Sequence, residues 1–249
     1  MSPITIKLGG VAGKEAESVR LVARSAPPDT VVVHGGGNEV ERWSRRLGLK
    51  PRTHDGLRVT DPATLEVVVA VLGGLVNTRM VAILGAAGRR AVGLTGADGG
   101  LLRIRRREPA YGEVGEVVGA EPWLIDALIG AGALPVVASV AADDAGSLLN
   151  VNADEAAGAI AASRGGVLLL CTDVPGVQLE GRVVDRLDAE AAERMLGDGS
   201  ASAGMRPKLR AALVAARAGC EVRILDGRAG PDLVEALRGS AVGTQVTAA

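Results

Sequence analysis

Short runs in which almost every position is apolar alternate along the chain with longer stretches in which apolar residues recur every three or four positions. The runs ITIKL (4–8), TVVVH (30–34), AVGLTG (91–96), LPVVAS (134–139), GVLLLC (166–171) and EVRIL (221–225) read as buried strands. Helices are predicted at 14–25, 37–47, 62–87, 121–131, 153–164, 188–197, 205–218 and 231–238. This alternation predicts an α/β fold around a largely parallel sheet. Three interruptions read as β-hairpins: HDGLRV (54–59), turning at Asp55-Gly56, a second inside GEVGEVVG (112–119), and a third in DDAGSLLNVN (143–152). Helix 62–73, PATLEVVVAVLG, carries Val or Leu at 65, 67, 68, 69, 71 and 72, around more of its circumference than one core face absorbs. No repeat, low-complexity linker or shift in composition divides residues 1–249, which read as a single domain with a cleft.

Composition removes several function classes. Of 249 residues 47% are hydrophobic and 23% charged, and the formal net charge of -1 gives no bulk attraction to nucleic acid or membrane. With no Phe and one Tyr, aromatic platforms for single-stranded nucleic acid are excluded. No apolar run approaches the roughly 20 residues of a membrane span. The N-terminal MSPITIKLGG lacks the basic-then-apolar order of a signal peptide. Cys171 and Cys220 stand far apart, in no metal or redox spacing, and read as buried thiols of a cytoplasmic protein. Lysine is scarce: Lys7, Lys14, Lys50 and Lys208 stand against 24 arginines. A lysine beside glycines or at a helix start therefore asks for a chemical reason.

Two strand ends run into glycines. IKLGG (6–10) sets Lys7 before Gly9 and Gly10, and VVVHGGG sets His34 before Gly35, Gly36 and Gly37. Ligands of open α/β sheets collect at carboxyl strand ends, where bare amides and a lysine can hold a phosphate. The plainer reading of each is a solvated lysine and a tight turn. Neither a Walker A loop nor a G-x-G-x-x-G fingerprint is present. LNVNAD (149–154) places Asn150 and Asn152 at a spacing of two, before Asp154 and an apolar helix. Capping of that helix accounts for Asp154 but not for the asparagine pair. In GLRVT (56–60) the Arg58 fork is suited to a carboxylate, or is a surface arginine. TDVPG (172–176) is a generic strand exit, and GDGSASAGMRPKL (197–209) reads as a mobile cover or a connector. RIRRRE (103–108) reads as the solvated face of a strand.

Taken in order over nearly the whole chain, IKLGG, HGGG, GLRVT, NVNAD, TDVPG and GMRPK resemble the N-acetylglutamate kinases of the amino acid kinase family. The resemblance implies an αβα sandwich around a largely parallel central sheet, with lobes at about 1–165 for acetylglutamate and dimerisation and 166–249 for ATP. It implies that Lys7 and Lys208 sit on the transferring phosphoryl group and that Asp154 positions both. Gly35, Gly36, Arg58, Asn150 and Asn152 are expected at N-acetylglutamate, and Gly9 and Gly10 at the nucleotide phosphates. Asp173, Val174, Pro175, Gly176, Val177 and Gln178, with Ser200, Ala201 and Ser202, are expected along the nucleotide. GSASAG departs from the more apolar stretch usual before the Gly-Met of such kinases.

The chemistry of the residues agrees with that reading. A carboxylate acceptor is already ionised at neutral pH, so phosphoryl transfer to it needs no general base. It needs charge neutralisation and in-line placement, for which two lysines and glycine amides are fitted. No carboxylate cluster reads as a metal cage, so Mg2+ is expected to be held through the ATP phosphates. The rival acceptor is aminoadipate on an acidic carrier protein, which the arginines of 103–107 would steer. A non-catalytic sensor of this fold would lack a catalytic lysine or aspartate, and all three are present. The apolar surplus of helix 62–73 predicts a homodimer. With only Met1, Ser2 and Pro3 ahead of Ile4, arginine inhibition through a hexameric ring laced by an N-terminal helix is not expected.

Overall fold

Strict alternation of side chains about the strands builds two cores from one sheet. A computed structural model describes residues 2–10, 14–179, 181–228 and 230–249; Met1 of the N-terminal reading lies outside them. The chain runs β1 (Ile4–Leu8), α1 (Lys14–Ser25), β2 (Thr30–His34), α2 (Gly37–Arg46), β3 (Arg52–His54) and β4 (Leu57–Val59). A long helix follows, its α-helical ends α3 (Pro62–Val68) and α4 (Asn77–Ala86) flanking a π-helical stretch, Val69–Val76. Next come β5 (Ala91–Thr95), β6 (Leu102–Arg106), β7 (Val114–Ala120), α5 (Trp123–Gly130), β8 (Leu134–Ala138), β9 (Val140–Ala142), β10 (Leu148–Val151) and α6 (Ala153–Arg164). The remainder is β11 (Val167–Thr172), β12 (Gln178–Leu179), β13 (Arg182–Val183), β14 (Arg186–Asp188), α7 (Ala189–Gly197), α8 (Met205–Arg217), β15 (Glu221–Asp226), α9 (Pro231–Leu237) and β16 (Thr244–Thr247).

Among the described residues, eight strands form the central sheet in the order β14-β16-β15-β11-β1-β2-β8-β5. All neighbours are parallel except β15 and β16. Val31, Val33, Leu168 and Leu170 face the core under α5, α6, α7 and α8, while Ile4, Ile6, Leu8, Val32 and Leu169 face the core under α1, α4 and α9. This is the expected αβα sandwich. The period of two also decides where Lys7 goes: its neighbours Ile6 and Leu8 point to α1 and α4, so Lys7 points to α6.

The six predicted strands are all in the sheet. Strands β14 and β16, at one end of the sheet, escape the pattern because they are only three and four residues long. The hairpin at 54–59 forms, with positive φ at Asp55 (47°) and Gly56 (79°) as its two-residue turn requires. The hairpin at 143–152 forms as β9 and β10. The one placed inside 112–119 is instead a single strand, β7, paired antiparallel with β6. Glycines 112, 115 and 119 suggest turns in sequence, but Gly115 is needed where a Cβ would press on Ile104 and Val151. The arginines of β6 do lie on its open face, with Leu102 and Ile104 turned inward.

Helix 62–86 corrects the statement that no apolar run approaches membrane length. Within its 25 residues an 18-residue window has a mean hydropathy of 2.1, enough by length and composition to cross a membrane. Glu66, Asn77 and Arg79 interrupt the run. The inner face, Val67, Val68, Val71, Leu72, Val76, Met80 and Leu84, is buried in the fold. Half-exposed Leu65 and Leu75 remain outside that face, whereas Val69, Val81 and Ile83, also half-exposed, pack against the edges of the core.

Candidate active site

The carboxyl ends of β1, β2 and β11 open onto a cleft at the centre of the sheet, where ligands of such sheets bind. Helices α6 and α8 set the charged residues there. Both are rich in alanine and pack so closely that a Cβ on Gly158 would stand 2.9 Å from the Ala211 carbonyl oxygen. Asp154 lies one turn before Gly158, and Lys208 one turn before Ala211, so this contact brings the two side chains together. Asp154 Oδ1 is 3.2 Å from Lys7 Nζ, and Asp154 Oδ2 accepts a hydrogen bond from Lys208 Nζ at 3.3 Å. The Lys7 contact is an ion pair without hydrogen-bond alignment. Burial by itself would raise the Asp154 carboxyl, but the ammoniums of Lys7 and Lys208 together hold it below the usual carboxylate value. Burial, and then the charge of Lys7, lowers the Lys208 ammonium, which Asp154 partly restores.

Two chambers meet at this triplet. One, of about 350 Å³, is lined by Lys7, Gly9, Gly10, Gly35, Gly36, Arg58, Asn150, Asn152 and Asp154, among others. The other, of about 360 Å³, is lined by Lys7, Gly9, Asn38, Cys171, Asp173, Lys208 and Arg228 among others. Arg58 is held over the first chamber by donating to the Gly37 carbonyl at 2.9 Å. Asn150 donates to Thr60 Oγ1 at 3.0 Å. The hairpin carrying Arg58 reaches across the cleft: a Cβ on Gly56 would lie 2.8 Å from the Ala203 carbonyl oxygen, in the loop before α8. Burial raises the Cys171 thiol to about 12, so it stays protonated and unreactive.

Several details depart from the residue-level reading. The cap of α6 is Asn152, whose Oδ1 accepts from the N–H groups of Asp154 and Glu155 at 2.8 and 3.1 Å. Asp154 is thus freed for the lysines, because the capping position precedes the first helical residue. The Gly35 N–H is taken by the Leu8 carbonyl at 3.3 Å. Of the segment 173–178, Asp173 lines the second chamber, while Val174, Pro175, Gly176, Val177 and Gln178 line neither. Val177 is fully buried and gives its N–H to Thr244 Oγ1 at 2.8 Å. Ala201 is likewise buried in the core, the Ser200 N–H goes to Asp198, and the Ser202 carbonyl starts α8. Val177 is tied to β16, distant in sequence, whereas Ala201 is tied to the preceding α7, its N–H going to the Met195 carbonyl at 3.1 Å.

His34 is a buried residue that sequence reasoning noted only as part of a glycine loop. Desolvation, opposed by its bond to the Gly35 carbonyl, lowers its pKa from 6.5 to about 4. The unfolded chain therefore takes up a proton near pH 6.5 that the folded chain refuses until about pH 4. Stability from this group is full above about pH 6.5 and falls by up to about 3 kcal/mol as pH drops to 4. Urea unfolding at pH 7.5 and pH 5 measures that loss, which a non-titrating residue at 34 removes.

Residues 4–226 match the model of the amino acid kinase family. The acetylglutamate kinase of Rubrobacter xylanophilus is 43% identical over 249 residues, covering 99% of this chain and 97% of its own. The acetylglutamate kinase of Methanopyrus kandleri is 44% identical and covers 88% and 93%. Among solved structures, smu.665 from Streptococcus mutans UA159 superposes with a TM-score of 0.81 at 26% identity, over 99% of this chain and 98% of its own.

Proposed function

From the premise that this chain belongs to the amino acid kinase family, we propose that it transfers the γ-phosphoryl group of ATP to the side-chain carboxylate of N-acetyl-L-glutamate. The product is N-acetyl-L-glutamyl 5-phosphate, an intermediate of arginine biosynthesis. The observation that carries this reading is the Lys7–Asp154–Lys208 triplet between two chambers. Acetylglutamate occupies the chamber under Arg58, with Gly36, Asn150 and Asn152, and ATP occupies the chamber of Asp173 and Lys208. In this division, residues to about 165 hold the acceptor and those from 166 on hold the nucleotide.

The acceptor carboxylate is its own nucleophile, and the site supports that economy: His34 is neutral and turned away from the cleft. Lys7 and Lys208 neutralise charge on the group in transfer, and Asp154 keeps the two ammoniums apart and aimed. The donor set of two ammoniums and the Gly36 amide, which has no acceptor among the described residues, fits phosphate oxygens. Among the described residues no group of three His, Cys, Asp or Glu is gathered for a metal, which suits Mg2+ carried by the phosphates, where it neutralises charge.

The carrier-bound acceptor is not favoured. The relatives bear the acetylglutamate kinase name, and the basic rim is compensated: Arg103, Arg105 and Arg107 pair with Glu121, Glu116 and Glu155 at 3.4, 2.6 and 2.7 Å. Incubating the enzyme with ATP and acetylglutamate, glutamate or aspartate, and trapping acyl phosphate with hydroxylamine, tests the assignment. Only acetylglutamate should give strong trapping, and equal trapping with glutamate would overturn it. Arg58→Ala is expected to raise KM for acetylglutamate about 10- to 100-fold with KM for ATP nearly unchanged, since it removes a charge-assisted carboxylate contact of roughly 1.5–3 kcal/mol. Steady-state titration of each substrate distinguishes this from loss of the nucleotide site.

The half-exposed apolar residues Leu65 and Leu75 support a homodimer formed along the long helix, in the cytoplasm. Sedimentation at micromolar concentration should give twice the chain mass, and a monomer would sink this part.

A further inference from the structure

Beneath the glycine loop lies a buried polar network that the transfer chemistry above does not use. His34 faces the α4 side of the sheet, opposite to Lys7, and is fully buried. Its Nδ1 lies 2.8 Å from the Gly35 carbonyl oxygen, and its Nε2 lies 3.0 Å from Asn77 Nδ2. A carbonyl only accepts and an amide nitrogen only donates, so the ring is satisfied when its single proton is on Nδ1. The same Asn77 Nδ2, whose two hydrogens are shared among three acceptors, lies 3.0 Å from the Val136 carbonyl oxygen and 3.3 Å from that of Leu94, which fixes Asn77 against β8 and β5. It stands at the residue where the π-helical stretch gives way to α4. On β5, a Cβ at Gly93 would come 1.9 Å from Asn77 Oδ1, so that strand position has room for the amide only as glycine.

The consequence falls on one peptide group. In a trans peptide the C=O and N–H point in opposite directions. With the Gly35 carbonyl drawn down to the buried ring, the Gly36 N–H points the other way, toward the cleft that Gly36 lines. No acceptor among the described residues takes that N–H, whereas the Gly35 N–H is occupied by Leu8. Gly36 has φ 150° and ψ 36°, and a Cβ there would press within 2.9 Å of Leu72 Cδ2. Glycine permits this conformation but does not enforce it, so the peptide needs an outside restraint.

We propose that His34, oriented by Asn77, is a positioning residue that locks the Gly35–Gly36 peptide so that the Gly36 N–H donates to the anion in the cleft. The identity of that anion, ATP phosphate or acceptor carboxylate, rests on the acetylglutamate kinase reading.

His34→Asn and His34→Gln separate this role from packing. The amide of Asn falls where Nδ1 was and still reaches the Gly35 carbonyl; that of Gln falls where Nε2 was and reaches only Asn77. In steady-state assays His34→Gln should lose about 10- to 100-fold in kcat with KM values within about threefold, as for a misdirected transition-state donor. His34→Asn should keep kcat within about threefold, with both variants lowering the melting temperature comparably. Equal kcat losses in the two, or an undiminished His34→Gln, would overturn the proposal. Nitrogen-15 spectra of the wild-type ring and of the Gly36 amide, recorded with and without ATP, give an arm independent of the acceptor. A proton on Nδ1 and a Gly36 amide that shifts with ATP support positioning even if acetylglutamate is not turned over, a result that would overturn the acceptor assignment alone. A proton on Nε2, or a Gly36 amide that neither ATP nor added acetylglutamate moves, overturns the positioning role.

Discussion

Lys208→Arg is expected to lower kcat by about two to three orders of magnitude, the range for removing one preorganised donor from a transition state. The Lys208 ammonium is only 12% exposed and sits between Asp154 Oδ2 at 3.3 Å and the Gly204 carbonyl at 3.4 Å. A guanidinium is planar and larger, and cannot enter that corner without displacing Asp154. It stays positive, however, so ground-state attraction for ATP persists, and KM for ATP should change far less than kcat. The helix is not at risk, since Arg and Lys have similar helix propensities. Steady-state kinetics beside a thermal melt measures both halves. A near-normal kcat would remove Lys208 from the reaction.

Replacing Asp154 should cost both rate and stability, for one electrostatic reason. Without the carboxylate, two ammoniums face each other across a cleft in which each is 12% exposed. Leaving buried charges uncompensated costs about 3–5 kcal/mol when no water reaches them, and about 1–3 kcal/mol is expected here because the cleft is open. Asp154→Asn keeps the size and removes only the charge, and the α6 cap survives because Asn152 provides it. Its kcat should fall about 100-fold as both lysines lose their aim, a loss of roughly 3 kcal/mol in transition-state stabilisation. Added ATP should raise the melting temperature more in this variant than in the wild type, because the phosphates then supply the missing anion. The acid limb changes as well. The wild-type carboxyl is held below its ordinary value, so its contribution is present above about pH 4 and fades as pH falls through the folded value. The Asn variant should lack that fade, as urea melts between pH 5 and pH 3 would report. Full activity in Asp154→Asn would reduce the residue to a spacer.

How far the sequence reached depends on whether the signal was local. Six strands and the helices between them follow from apolar periodicity, which burial imposes on neighbouring residues. The 54–59 hairpin follows from Asp-Gly, whose positive φ values are intrinsic to that pair. Even the side of the sheet that Lys7 faces follows from the period of two, once Ile4, Ile6 and Leu8 are taken as core. The resemblance of six ordered motifs then supplied the family. By itself, therefore, the chain determined its elements, its fold class, and the scarce lysines and bare glycines available for chemistry. The tertiary structure decided what joins what. Lys7, Asp154 and Lys208 converge because the alanine faces of α6 and α8 meet at Gly158 and Ala211, a contact between residues 53 apart in sequence. Asn152 rather than Asp154 caps α6, Val177 and Ala201 turn into the core, and His34 reaches Asn77 from the far side of the sheet. The Asn152 cap has a local signature, an Asn just before the first helical residue, but the others have none, because such contacts are set by which surfaces pack together, and that packing is an energy shared among residues distant along the chain.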